Sequence, residues 1–136
     1  MLSALIVLLT YSAVSGVKDA VLWSGLREKA FKWNEHIIFT IERCSIASIP
    51  FVLWLFPLQR MTDVLTVCVV WVLCFSFVHN GFYYEARKRI DVPNYHWFYN
   101  SRNSTALFEE NSFTRTFLFI CGVLLLLSYK VFYFAL

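Results

Sequence analysis

The 136-residue chain is 59% hydrophobic and 19% aromatic but only 15% charged, too little polar surface to keep a soluble domain of this length dispersed. A net charge of +3 is too small to point to nucleic acid, and the placement of the charges carries more information than their sum.

The apolar residues fall in blocks and not at amphipathic spacing. They predict an all-α integral membrane protein, a single four-transmembrane-helix bundle over 1–136 with spans at about 2–23, 37–58, 63–84 and 113–135. Four spans of roughly 20 residues leave little chain for a separate soluble domain. Span one begins without a basic segment ahead of its apolar run, so it is expected to be retained and not cleaved as a signal peptide. Ser12, Gly16, Ala20 and Ser24 recur every four residues along it, a ridge that permits close helix approach.

A polar stretch leads to Asn34, the expected N-cap of helix two, with Glu35 in its first turn. Pro50 lies inside that helix, where a missing backbone donor predicts a kink and a freed Ile46 carbonyl. Cys44 and Ser48 offer a second small-residue ridge. Pro57, Gln59 and Arg60 form a tight connection, and Thr62 or Asp63 caps helix three, which continues past Tyr84. A longer loop, Lys88 to Ser112, carries Tyr95-His-Trp-Phe-Tyr99, a run suited to an interfacial belt or to a lid over a polar pocket. Helix four starts at Phe113, and Thr114, Cys121 and Ser128 recur every seven residues as its expected packing ridge. The four cysteines, Cys44, Cys68, Cys74 and Cys121, lie in apolar segments without a C-x-x-C pair and read as reduced packing residues.

Basic residues set the expected orientation. Arg27, Lys29 and Lys32 lie in the first loop, and Arg87, Lys88, Arg89 and Arg102 lie at or in the third. The connection between spans two and three has only Arg60. Loops one and three are therefore expected in the cytoplasm and both termini on the other side. Asn103-Ser-Thr105 matches a glycosylation tripeptide but falls in a loop expected inside, so it reads as a chance match.

Counting 1.5 Å per residue brings ionisable groups from all four helices to one depth near the cytoplasmic ends. Lys18 and Asp19 lie about 25 Å along span one, Glu42 and Arg43 sit at the edge of helix two, and His79 and Asn80 lie about 24 Å along helix three. Arg115 enters helix four at the same end. Long cations snorkel from this depth, but short side chains such as Asp19 and His79 need partners inside the protein. A polar pocket drawn from Lys18, Asp19, Glu42, Arg43, His79, Asn80, Tyr83 and Arg115 is the expected ligand site.

Two chemistries fit these residues. Asp19, Glu35, His36, Glu42 and His79 are carboxylate and imidazole ligands suited to a divalent metal such as Zn, Fe or Mn, although no H-x-x-x-H or H-E-x-x-H pairing is present. Alternatively His79 acts as a catalytic acid or base on a membrane-dissolved amphiphile, with Arg43 and Arg115 holding an anionic headgroup. There is no G-x-S-x-G to supply a nucleophile. The rival expectation is a non-catalytic accessory or structural subunit of a membrane complex, whose partners are the bilayer, other subunits or further copies of the chain. An oligomeric channel or lytic protein is less favoured, because the opposite halves of the spans carry few polar groups.

Overall fold

The structure, a computed structural model, describes residues 2–26, 40–46, 48, 61–100 and 111–134, and all regular structure among them is helical. Helix α1 is Leu2–Leu26, α2 is described at residues 40–46, α3 is Met61–Ile90 and α4 is Ser112–Phe134. Three stretches, Leu2–Gly25, Thr62–Ile90 and Ser112–Val131, are long and apolar enough to cross a membrane. The Asn34 cap, Glu35 and His36, the Pro50 kink, the connection at 57–60 and the tripeptide at 103–105 lie outside the described residues.

In hydrocarbon each backbone N–H and C=O must be satisfied within the chain, so a long apolar run becomes a helix. The hydroxyls inside these runs follow the same constraint. Ser12 donates to the Leu8 carbonyl, Thr66 to Thr62, Thr116 to Ser112 and Ser128 to Leu124, each at 2.8 Å and one turn back.

α3 packs against both α1 and α4. α1 and α3 run in the same direction: Trp71 reaches Leu8, His79 meets Asp19, and Arg87 faces the Trp23 ring. α4 runs the opposite way. Its Arg115 lies over Tyr84, Phe119 stacks on Phe77 and Tyr129 donates to Asp63. Leu5, Leu8, Val67, Val70 and Cys74 form the apolar core between these helices, flanked by Leu9, Trp71, Phe119 and Leu126.

Small residues decide how closely the helices approach. Ser12, Gly16 and Ala20 are buried along α1. A Cβ at Gly16 would come 2.2 Å from the His79 carbonyl oxygen and 3.1 Å from the Tyr83 amide nitrogen, so backbone meets backbone there. The two other expected ridges are corrected. Cys44 and Ser48 are exposed, and the Ser48 hydroxyl turns back to the Ser45 carbonyl. On α4 the buried line is Arg115 and Gly122, with Phe119 and Leu126 against the core, while Ser128 is exposed. Gly122 wins because a Cβ there would meet Cys74 Sγ at 2.8 Å, a closer approach than Thr114 or Cys121 would permit.

α3 ends where its chemistry stops it. Pro93 disfavours helix at Val92, and the amides of Asp91 and Val92 both donate to the Arg87 carbonyl, at 3.0 and 2.9 Å. Arg87, Lys88 and Arg89 in the last turn complement the helix dipole. The chain then doubles back along α3. Trp97 lies on Gly81, where a Cβ would come 2.1 Å from the indole, and its ring also meets Phe77 and Phe82. Asn111 caps α4 by accepting from the Thr114 amide at 2.8 Å.

Candidate functional site

The polar residues at the α1 C-terminal end of the bundle gather into one cluster and two separate anchors. In the cluster, Asp19 Oδ2 accepts from Arg43 Nη2 at 2.8 Å and lies 3.0 Å from His79 Nε2. Arg43 Nη2 and His79 Nε2 are themselves 3.2 Å apart, so groups from two further helices share one Asp19 oxygen. Beside them Lys18 Nζ donates to Glu42 Oε2 at 2.5 Å. Consecutive residues on α1 thus pair with consecutive residues on α2, which fixes the register of those two helices.

His79 is held on every side. Nδ1 lies 3.3 Å from Asn80 Oδ1, and Asn80 in turn donates to Ser76 Oγ at 3.2 Å. Phe75, one turn earlier, stacks on the imidazole at 5.1 Å and carries the Arg43 guanidinium over its other neighbourhood at 5.2 Å. With Asp19 at one ring nitrogen and Asn80 at the other, the His79 ring is held in a fixed orientation.

Burial makes this cluster demanding. Asp19 is 4% exposed, and a carboxylate in such surroundings needs every lone pair occupied. Asp19 Oδ1 is buried without a hydrogen-bond partner, and so are Arg43 Nε, Ser15 Oγ and Tyr11 Oη. Tyr11, Ser15 and Asp19 follow one another at i, i+4 and i+8 on a single face of α1. Tyr11 lies within electrostatic range of Glu42, Arg43 and Asp19, near Ser15 yet outside hydrogen-bonding geometry with it.

Deeper in the same α1–α3 seam, Trp71 Nε1 donates to Ser12 Oγ at 3.0 Å and to the Leu8 carbonyl at 3.2 Å. Polar side chains therefore recur along α1 from Ser12 through Ser15 to Asp19.

The structure brings together Lys18, Asp19, Glu42, Arg43, His79 and Asn80, and sets Tyr83 and Arg115 elsewhere. Tyr83 accepts from Arg87 Nη1 at 2.9 Å, while Arg87 grips Asp91 with Nε and Nη2 at 2.7 and 2.9 Å. The rings of Trp23, Tyr83 and Tyr95 surround that guanidinium at 5.6–5.9 Å. Arg115 donates to the Tyr99 carbonyl at 2.6 Å and lies over Tyr84. It pins the doubled-back loop to α4 and does not join Arg43 in an anion clamp. The aromatic run follows the same anchor. Tyr95 and Tyr99 pack edge-on against Tyr84, and Trp97 covers Gly81, on the face of α3 away from His79. A lid over the Asp19 cluster is not what it forms.

For a metal, Asp19 and His79 meet, but Glu42 is turned to Lys18 and Glu35 and His36 lie outside the described residues. Among the described residues no three His, Cys, Asp or Glu side chains converge. Tyr11, Phe75, Ser76 and Trp71 belong to the site and escaped the sequence reading. Their signal was the i, i+4 spacing of Tyr11–Ser15, Phe75–His79 and Ser76–Asn80, which places each pair on one helix face.

Comparison with family models, curated proteins and solved structures finds no match to this chain.

Proposed function

We propose that this is a four-span membrane protein that receives the polar headgroup of a membrane-dissolved amphiphile beside Asp19, Arg43 and His79. Four crossings are supported by the parallel course of α1 and α3: the intervening chain must return to the starting side, and residues 37–58 are apolar enough to do so. The basic residues that follow α1 and end α3 support cytoplasmic placement of that end, with both termini on the opposite side.

One observation carries the functional reading: four buried polar atoms, on Tyr11, Ser15, Asp19 and Arg43, stand unpaired at the ion cluster. Each unmet group costs about 1–3 kcal/mol, a penalty that a bound headgroup removes. His79, fixed by Asp19 and Asn80, supplies acid–base capacity at the same place.

The accessory-subunit reading rests on a different fact. Lys18–Glu42, Arg43–Asp19 and Arg87–Asp91 are mutually paired, which is all a structural clamp requires. Native mass spectrometry of the protein released from nanodiscs separates the two. Retained lipid that is lost in Asp19→Asn supports the headgroup site. A lipid-free chain held by a stoichiometric protein partner, unchanged in that variant, refutes it.

A further inference from the structure

Given the headgroup site proposed above, on which this inference rests, we infer that its ligand is a neutral, hydroxyl-bearing acylglycerol and not an anionic or choline phospholipid. Donors and acceptors at the site select this class. Asp19 Oδ2 is occupied by Arg43 and His79, and the free Oδ1 of a carboxylate only accepts, so the ligand must donate to it. Arg43 Nε only donates, so the ligand must also accept. Ser15 and Tyr11 hydroxyls take either role. A phosphate diester offers acceptors alone, and either a diester or the monoester of a phosphatidate would set its negative charge against Asp19. A quaternary ammonium neither donates nor accepts.

Charge leads to the same class. Lys18 is paired with Glu42 and Arg43 with Asp19, so the two cations next to the site are already neutralised. Tyr83, the other titratable side chain on the His79 face of α3, is held by Arg87, and Arg115 is held at Tyr99. No cation remains to attract an anionic headgroup among the described residues facing Asp19.

The order of the groups with depth completes the match. Asp19, the obligate acceptor, is nearest the end of the bundle. The backbone of Ser15 lies about 6 Å and that of Tyr11 about 12 Å farther into the bilayer along α1, and the Tyr11 side chain reaches the neighbourhood of Ser15. An acylglycerol has the same order, with a free hydroxyl outermost and ester carbonyls below it. Its hydroxyl donates to Asp19 Oδ1, and its carbonyls accept from Arg43 Nε, Ser15 and Tyr11. Asp19 and Ser15, at 4% and 2% exposure, are sealed from bulk water, and each keeps an unpaired polar atom.

The test uses the full chain in nanodiscs doped with dioleoylglycerol or with dioleoyl phosphatidate, with bound lipid counted by native mass spectrometry. Wild type should retain dioleoylglycerol at least tenfold over phosphatidate. Tyr11→Phe combined with Ser15→Ala should cut that retention tenfold or more. Because this double variant removes only buried, unpaired hydroxyls, its thermal stability without dioleoylglycerol should equal or exceed that of wild type, which separates lost binding from lost folding. Phosphatidate retained as well as dioleoylglycerol, and lost in the double variant, overturns the neutral class while leaving the headgroup site standing. Neither lipid retained above the level of the double variant overturns both. Dioleoylglycerol retained equally by wild type and the double variant places it elsewhere on the protein and overturns the inference.

Discussion

Replacing Asp19 by Asn keeps the shape of the side chain and removes the negative charge that Arg43 and His79 share. The Asp19 side chain is 6% exposed and that of Arg43 27%, so little water is present to take over from the lost partner. A hydrogen bond to a charged group contributes about 1.5–3 kcal/mol, and a buried group left unmet costs a similar amount. Asp19→Asn and Arg43→Gln should each destabilise the protein by about 2–3 kcal/mol, while the double variant should cost about 1–3 kcal/mol less than their sum. The adjacent pair is the internal control. Lys18 and Glu42 are 35% and 37% exposed although their atoms are closer, at 2.5 Å. Exposed ion pairs contribute about 0–1 kcal/mol, so the Lys18→Gln, Glu42→Gln cycle should show weak coupling. Unfolding in mixed micelles by titration with a denaturing detergent measures both cycles on one scale. Equal coupling in the two cycles, or none in the first, would refute the claim that Asp19 organises a buried site.

Gly16→Leu should destabilise by about 1–3 kcal/mol or more, because its first added carbon collides with the His79 carbonyl. Gly25→Leu meets nothing within 4 Å and should be nearly neutral; indistinguishable melting of the two variants in detergent would remove Gly16 from the α1–α3 contact. Trp71→Phe keeps an aromatic ring in the core but loses the donor to Ser12 and Leu8, with an expected loss of about 1 kcal/mol in the same detergent titration. An unchanged midpoint would mean that the indole N–H contributes nothing to the seam.

The sequence by itself determined that the chain is helical and suited to a membrane, because blocks of some twenty apolar residues admit no other regular structure in hydrocarbon. It also made Asp19, Arg43 and His79 conspicuous, since rise per residue puts three short or charged side chains from separate helices at one depth. The α1 ridge was legible for a similar reason: a repeat of four in Ser12, Gly16 and Ala20 describes one helix face whatever packs on it. The repeat of seven on α4 misled, because spacing names a face without saying whether a neighbour lies there, and Gly122 supplied the closer approach to Cys74. Arg43 and Arg115 looked equivalent in charge and depth, yet only the fold sends one to Asp19 and the other to the Tyr99 carbonyl. The difference arises because the chain after α3 doubles back at Pro93 and seats Trp97 on Gly81, which brings a backbone acceptor within reach of Arg115. Which polar atoms remain unpaired is likewise a property of three helices docked together. Depth can be counted along one chain, but the partners of Asp19 Oδ1, Ser15 and Tyr11 depend on the relative rotation of helices, which only tertiary packing sets.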